Sequence, residues 1–286
     1  PVSEPGMARA SVDAVAPGRP AGVGSAADRG AGEPDAAGAL TAFDGVPVDV
    51  LAQRCGAAAV HAHAVVGSTM DVAHALAAAG APAGTLVLAD AQASGRGRAG
   101  RTWHSAPGAG LWLTLLERPR DAEALAVLSL RLGLAAAEAL DPFAGERVGL
   151  KWPNDLHLAA GKLAGVLVEA RWREGAPDWV AIGLGVNVRA GAAPDGAAAL
   201  YPGVARTAVL AALVPALRAA TARRGALSAD ELAAWGARDL ALGRVVAEPE
   251  RGTVDGLDPD GALRIRRPDG STVRVRHGSL RFADDR

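Results

Sequence analysis

Lysine is almost missing from this 286-residue chain: of 30 basic residues only Lys151 and Lys162 are lysine, and 28 are arginine. Asparagine occurs only at positions 154 and 187, and glutamine only at 53 and 92. There is one cysteine, Cys55, which excludes a disulfide framework and a thiolate metal cluster within the chain. Such a lone cysteine reads as a small buried hydrophobe. No apolar run is long enough to cross a bilayer. The N-terminus lacks the basic-then-apolar pattern of a secretion signal, so the expected compartment is the cytoplasm. The net charge of −1 comes from signs mixed along the chain, so there is no global basic field for nucleic acid.

What is present follows from what is scarce. A chain rich in Ala, Gly and Arg trades Lys for Arg wherever charge alone matters. Where Lys survives, a compact ammonium does what a planar guanidinium cannot. Both lysines lie in one segment, and this points to the region around Lys151 as the chemical centre.

Residues 1–42 are Ala, Gly, Pro and scattered charges, with no aromatic before Phe43. Such a segment cannot offset its ordering entropy by burial and is read as a disordered tail. It has no helix-turn-helix pattern, so no DNA partner is expected. From residue 60 the pattern becomes mixed α and β. Strands are expected at 60–66, 85–89, 110–116, 148–152, 163–170 and 179–188. Helices are expected at 71–79, capped by Ser68 and Thr69, and at 121–140, 206–224 and 228–240. After Gly243 five short strand candidates alternate with the turn signals Asp258-Pro259-Asp260-Gly261 and Pro268-Asp269-Gly270. The expected domains are 43–241 and a small β-barrel at 242–286.

Three segments carry chemistry. Gly95-Arg96-Gly97-Arg98-Ala99-Gly100-Arg101-Thr102-Trp103 contains the spacing of a dinucleotide fingerprint. That fingerprint needs a strand running straight into the glycines and a helix after them. Here neither is expected, so the loop reads as a glycine-hinged flap with arginine donors for phosphate and carboxylate oxygens. In Lys151-Trp152-Pro153-Asn154-Asp155, a lysine at a strand end is aimed at a site, Trp152 packs, and Asn154-Asp155 forms a turn or a contact. In Gly183-Leu184-Gly185-Val186-Asn187-Val188, two glycines on one strand face mark close approach of a ligand or another backbone. His61 and His63 share a strand face but lack a third ligand, so no metal site is assigned.

These segments, with Gly161-Lys162-Leu163-Ala164-Gly165, occur in an order that closely resembles the biotin–protein ligases, also called biotin–[acetyl-CoA-carboxylase] ligases. The resemblance covers residues 60–190 strongly and the terminal module in kind. It implies an α+β fold, with a mixed-sheet catalytic domain of the biotin–lipoate ligase type and a C-terminal SH3-like β-barrel. It also implies a two-step reaction. Biotin and ATP give biotinyl-5′-AMP and pyrophosphate, and biotin then passes to a lysine of a biotin carboxyl carrier protein.

The resemblance assigns Lys151 and Arg98 as catalytic. It gives Ser68, Thr69, Met70, Gln92, Arg96, Gly97, Arg98 and Lys151 to the biotin side, and Arg96, Trp103, Asn154 and Asn187 to ATP or the adenylate. Mg²⁺ accompanies ATP. The family usually has Asn where this chain has Met70. Lys162 falls in a segment that family dimers use, so it is given no catalytic role, and a homodimer is compatible with the sequence. Two rivals stand beside this reading. Lipoate or octanoate ligases and transferases share the fold but lack the loop and Lys-Trp-Pro-Asn-Asp in combination, and Cys55 lies in too bland a context to be a thioester nucleophile. An interaction module would bind without ATP and with strong salt dependence.

Overall fold

Alternating apolar residues in the middle of the chain build a sheet, and the longest amphipathic stretch covers it. The computed structural model describes residues 38–119, 121–190 and 196–284. The chain opens with β1 (Ala39–Leu40), β2 (Ala42–Phe43), β3 (Val46–Pro47) and α1 (Val48–Cys55). Next come β4 (Ala59–Val66), α2 (Thr69–Ala78), β5 (Thr85–Gln92) and β6 (Gly110–Glu117). After α3 (Ala122–Ala144) lie β7 (Gly149–Lys151), β8 (Asp155–Leu158), β9 (Gly161–Arg173) and β10 (Ala176–Asn187). Two helices, α4 (Arg206–Thr221) and α5 (Ala229–Gly236), lead to β11 (Val245–Glu248), β12 (Gly252–Leu257), β13 (Leu263–Arg266), β14 (Thr272–Val275) and β15 (Arg281–Phe282).

One sheet has eight strands in the order β1-β4-β5-β6-β10-β9-β8-β7. β4 and β5 are parallel, with α2 as their crossover, and the other ladders are antiparallel. This is the expected α+β mixed sheet. All eight residues of β6 are buried, because both faces are covered. Leu111, Leu113 and Leu115 enter the core with α3 and α4. Thr114 points the other way and bonds to Thr69 at the start of α2. Burying each of those leucines contributes roughly 1.5–3 kcal/mol, so this central strand is the rigid element from which the site is hung.

The helix ends have local causes. Ser68 is extended and its hydroxyl accepts from the Met70 N–H, so α2 starts two residues before the expected 71–79. Asp121 accepts from the N–H groups of Glu123 and Ala124 and so starts α3, and Gly145 in the left-handed region ends it. α3 thus runs four residues past the expected 140, with Pro142 in its last turn. α5 starts with a capping box of Ser228 and Glu231 and stops at Gly236 rather than 240. Glu231 also pairs with the buried Arg131 of α3 at 2.7 Å.

Of the expected tail 1–42, residues 1–37 lie outside the described residues. Ala39 and Leu40 are not tail, because they pair with His63 and Ala62 of β4. At the other end, β11–β15 form an antiparallel sheet in the order β14-β13-β12-β11-β15. No ladder joins β14 to β15 among the described residues, and the sheet is consistent with the expected SH3-like module. It packs on the main sheet, with Leu227 N–H bonded to Pro259 O and the Trp152 indole N–H to Gly261 O. No helix among the described residues is long and apolar enough to cross a membrane.

Candidate active site

A cavity of about 330 Å³ opens on the α2 face of the sheet, at the small end of the usual ligand-pocket range. The N-terminus of α2, the end of β5, the loop after it, and β8, β9 and β10 all contribute to it.

At one end a chain of neutral hydrogen bonds sets every rotamer. Thr114 Oγ1 donates to Thr69 Oγ1 at 2.8 Å. Gln92 Oε1 accepts from Thr69 N at 2.9 Å and from Thr69 Oγ1 at 3.2 Å. Gln92 Nε2 donates to Ser105 Oγ at 2.8 Å. With its oxygen used twice and its nitrogen once, the Gln92 amide has one orientation and keeps one N–H to offer. The Ser68 hydroxyl accepts from Met70 N at 3.3 Å and keeps its own hydrogen. Met70 is buried, with its sulfur 2.9 Å from where a Cβ on Gly183 would sit.

The glycine pair of β10 therefore has two separate causes. Gly183 makes room for Met70, and Gly185 makes room for the Trp103 indole, which a methyl group there would overlap. Gly165 faces Gly185 across the β9–β10 ladder and would meet the same indole at 3.2 Å. Trp103 thus lies against bare backbone, edge-on to Trp112 at 6.4 Å. Its Nε1 is buried with no partner among the described residues.

The opposite end is cationic. Lys162 Nζ is 2.8 Å from Asp155 Oδ1 and 5.2 Å from the Trp103 ring. Arg98 Nη1 donates to Asn154 Oδ1 at 3.1 Å, and burial pulls the Arg98 guanidinium below its ordinary value. Asn154 Nδ2 donates to Val166 O at 2.7 Å, and Asn187 Nδ2 to Lys162 O at 3.2 Å. Both asparagines are therefore braces between backbone and site, not simple turn residues. Below them His157 is pushed down to about 4 by burial, with Lys151 and Lys162 adding to the effect against Asp155.

The loop over the cavity is a small hairpin. Arg96 bridges Thr102, Gly97 N–H bonds to Arg101 O at 2.7 Å, and Ala99 has a φ of 54°. Its arginines reach three separate anchors. Arg96 pairs with Asp71 and Glu169. Arg98 meets Asn154 and also Gly278 O, and Arg101 Nη2 donates to Ser279 Oγ at 2.7 Å. The C-terminal module thus touches the loop directly.

The residues expected from the sequence are brought together with one exception. Ser68, Thr69, Met70, Gln92, Arg96, Gly97, Arg98, Trp103, Asn154 and Asn187 all line the cavity. Lys151 is not among its lining residues. It sits opposite Asp155 on β7, with Nζ 4.7 Å from the Phe282 ring of the C-terminal module. The lysine on the cavity is Lys162, which was given only a dimer-segment role. The near-absence of lysine had marked both positions equally, and nothing in composition chooses between them. His61 and His63 lie on β4, both pushed down by burial. No group of three or more His, Cys, Asp or Glu that could hold a metal occurs among the described residues. Cys55 is buried at the end of α1, and burial pushes its thiol up.

Comparison with known proteins bears on the same residues. The profile of the biotin/lipoate A/B protein ligase family matches residues 62–187. The bifunctional ligase/repressor BirA of Bacillus subtilis is 41% identical over 127 residues, 44% of this chain and 39% of the relative. The chain thus spans about two fifths of that relative's length. A biotin protein ligase from Aquifex aeolicus, solved in complex with biotin and ATP, superposes with a TM-score of 0.68 at 29% identity. The match covers 78% of this chain and 99% of that one. The biotin–[acetyl-CoA-carboxylase] ligase of Paracoccus denitrificans is 36% identical over 210 residues, 65% of this chain and 86% of the relative. With 86% of that relative's length matched at 36% identity, this chain belongs to the biotin–protein ligase family.

Proposed function

We propose that this chain is an ATP-dependent biotin–protein ligase that adenylates biotin and transfers it to a lysine of a biotin carboxyl carrier protein, with the cytoplasm as its compartment. The observation that carries the reading is the polarity of the cavity. A neutral end of fixed donors and acceptors (Ser68, Thr69, Gln92) faces a cationic end (Lys162, Arg98) under one loop. That is the layout a ligand with a polar uncharged head and a carboxylate tail requires.

In the first step the biotin carboxylate oxygen bonds to the α-phosphorus of ATP, and the bond to the bridging oxygen breaks to release pyrophosphate. Negative charge accumulates between carboxylate and phosphate. Lys162, pre-placed by Asp155 and by its own backbone bonds to Asn187 and Ala198, supplies the compact cation that this step needs. Lys162 thus takes the charge-bridging role that the sequence reading gave to Lys151. Arg98 adds donors from the loop, and Trp103 offers a flat apolar face to the adenine. Asp155, the only carboxylate among the described lining residues, is already engaged by Lys162. Mg²⁺ accompanying ATP would be held mainly by phosphate oxygens and water, and would offset phosphate charge there. In the second step the carrier's neutral lysine amine attacks the acyl carbon, AMP leaves, and the amine's surplus proton is released. The closed loop keeps water from the mixed anhydride between the two steps.

The test is ATP-dependent pyrophosphate release with biotin, octanoate and lipoate in parallel, followed by an apo carrier domain. Release with biotin alone and label on the carrier is the expected result. Release with octanoate or lipoate moves the chain to the neighbouring activity, and silence with all three ends the ligase reading.

A further inference from the structure

Arg96 is a loop arginine whose anchor is itself held by a half-buried relay, which neither the reaction steps nor the motifs use. Glu169 on β9 shares its Oε2 between Arg96 Nη2 at 3.6 Å and His74 Nε2 at 2.8 Å. His74 stands three residues after Asp71, so α2 presents both on one face. Behind His74, Trp179 Nε1 donates to His74 Nδ1 at 3.0 Å. An indole N–H can only donate, so His74 Nδ1 must carry a lone pair and Nε2 the hydrogen. That hydrogen points at Glu169. The Trp179 ring is in turn faced by the Arg118 guanidinium at 5.8 Å. Arg118 donates to Ala77 O and Ala81 O at the end of α2, and to Asp178. The relay is thus tied to α2 and β10 at its far end.

We propose that His74, set in one tautomer by Trp179, is a positioning residue that fixes the Glu169 carboxylate under Arg96 and so holds the glycine–arginine loop over the cavity. The shorter of the two Arg96 contacts is the one to Asp71, at 3.0 Å. Asp71's side chain is 64% exposed against 26% for Glu169, so its pull on Arg96 is the more screened by solvent. Glu169 is the anchor that is also held from behind, by His74. The hydrogen bond from His74 and the charge of Arg96 hold its carboxyl below the ordinary glutamate value. A second space of about 610 Å³ is lined by residues 93–102 with Leu167 and Glu169, so Glu169 lies where the loop borders open space.

The inference rests on the ligase reading only for its ligand measurement, so the test begins without ligand. Arg96, Arg98 and Arg101 make the loop a tryptic target, and cut sites are identified by mass. His74→Leu and Trp179→Phe are expected to speed cleavage in the loop about fivefold, the equivalent of ~1 kcal/mol, the scale of one hydrogen bond. His74→Gln keeps a donor and an acceptor and should stay within about twofold of the unchanged protein on the same scale. Cleavage of His74→Leu at the unchanged rate, or of His74→Gln as fast as His74→Leu, overturns the proposal. Should His74→Leu fail to fold, nitrogen-15 NMR of the unchanged protein decides the tautomer. A hydrogen on Nδ1 of His74 would sink the relay. With biotin and ATP, the leucine variant should raise the biotin KM about fivefold while kcat stays within about twofold, as loss of positioning on binding requires. If the unchanged protein releases no pyrophosphate with biotin, the ligase reading falls, and proteolysis and NMR still decide the role of His74.

Discussion

The floor and the roof of the cavity are held by different physics. The floor is built on β5, β6 and the start of α2, where Thr114, Thr69, Gln92 and Ser105 form a run of short neutral hydrogen bonds. Thr69 and Thr114 are buried, and the bonds among Thr114, Thr69 and Gln92 join β6, α2 and β5. The roof is a loop of residues 95–103 whose three arginines reach α2 and β9, the start of β8, and the C-terminal module. Its bonds are charged, half-exposed and individually replaceable. A floor of this kind selects the ligand before anything moves. The roof opens by releasing several weak contacts, each worth about 1 kcal/mol or less. Selection and retention are therefore separable by mutation.

The largest break in that contrast comes at the point where floor and roof meet. Lys162→Ala is expected to slow biotin-dependent pyrophosphate release by about 10²–10³-fold, the scale of losing one preorganised charge at a reacting centre. Lys162→Arg should recover little of this, because the fork is too broad for a site already filled by Asp155 and Trp103. Lys151→Ala is the control: release within about threefold of normal, with lost packing on Phe282 showing as a lower Tm of the order expected for one cation–π contact. Equal losses for Lys151→Ala and Lys162→Ala would return the chemistry to the Lys-Trp-Pro-Asn-Asp segment.

Which lysine faces the cavity is also where sequence reasoning stopped. Composition singled out both positions. The choice between them depends on two registers, that of β7–β8, where Lys151 pairs with Asp155, and that of β8–β9, where His157 pairs with Lys162. β8 itself was hidden, because Asn154-Asp155 reads as a turn when only the dipeptide is seen. The central strands and α3 were legible because their apolar spacing is long and regular, and the short C-terminal strands because turn signals separate them. β1, β2, β3 and α1 were not, since two-residue strands carry no period and α1 has only Leu51 and Cys55 buried. The contact of Arg101 with Ser279 spans 178 residues and no local signal announces it. The Gly183–Gly185 pattern was read as close approach of a ligand or another backbone, whereas what approaches is a methionine sulfur and an indole.

His157 lets the floor be tested by pH. In the unfolded chain its imidazole takes up a proton near the ordinary value of 6.5, but in the fold only at about 4. Between those values the unfolded chain binds more protons. The stability it confers is therefore complete above about pH 6.5 and falls as pH drops toward 4. With partial exposure allowed for, the loss is of order 2 kcal/mol. Urea unfolding at a series of pH values should show that slope, and His157→Gln should flatten it. An unchanged slope in the variant would mean that other groups govern the acid limb.

Gly185→Ala tests the floor sterically. The added methyl overlaps the Trp103 indole, so either the ring moves or the strand does, at a cost of about 1–3 kcal/mol. Because Trp103 rather than Gln92 is displaced, the KM for ATP should rise more than the KM for biotin. A larger rise for biotin would place the indole at the wrong end of the cavity.

The smallest expected effect belongs to the roof. Ser279→Ala removes the acceptor of Arg101 and leaves Arg98 with Asn154 and Gly278. One exposed contact is worth about 1 kcal/mol at most, so release of the intermediate into solution should quicken by no more than about fivefold, with pyrophosphate formation in the first turnover unchanged. The decisive comparison is with Gln92→Ala, which should weaken biotin binding without changing how fast the intermediate leaks once made. If Ser279→Ala alters biotin affinity and Gln92→Ala alters leakage, floor and roof are one cooperative unit. The division between a preset selector and a loose cover then disappears. If each variant moves only its own quantity, the C-terminal module is a latch on retention. Its distance in sequence from the catalytic motifs is then explained by what it does: it holds the loop and leaves the ligand to the floor.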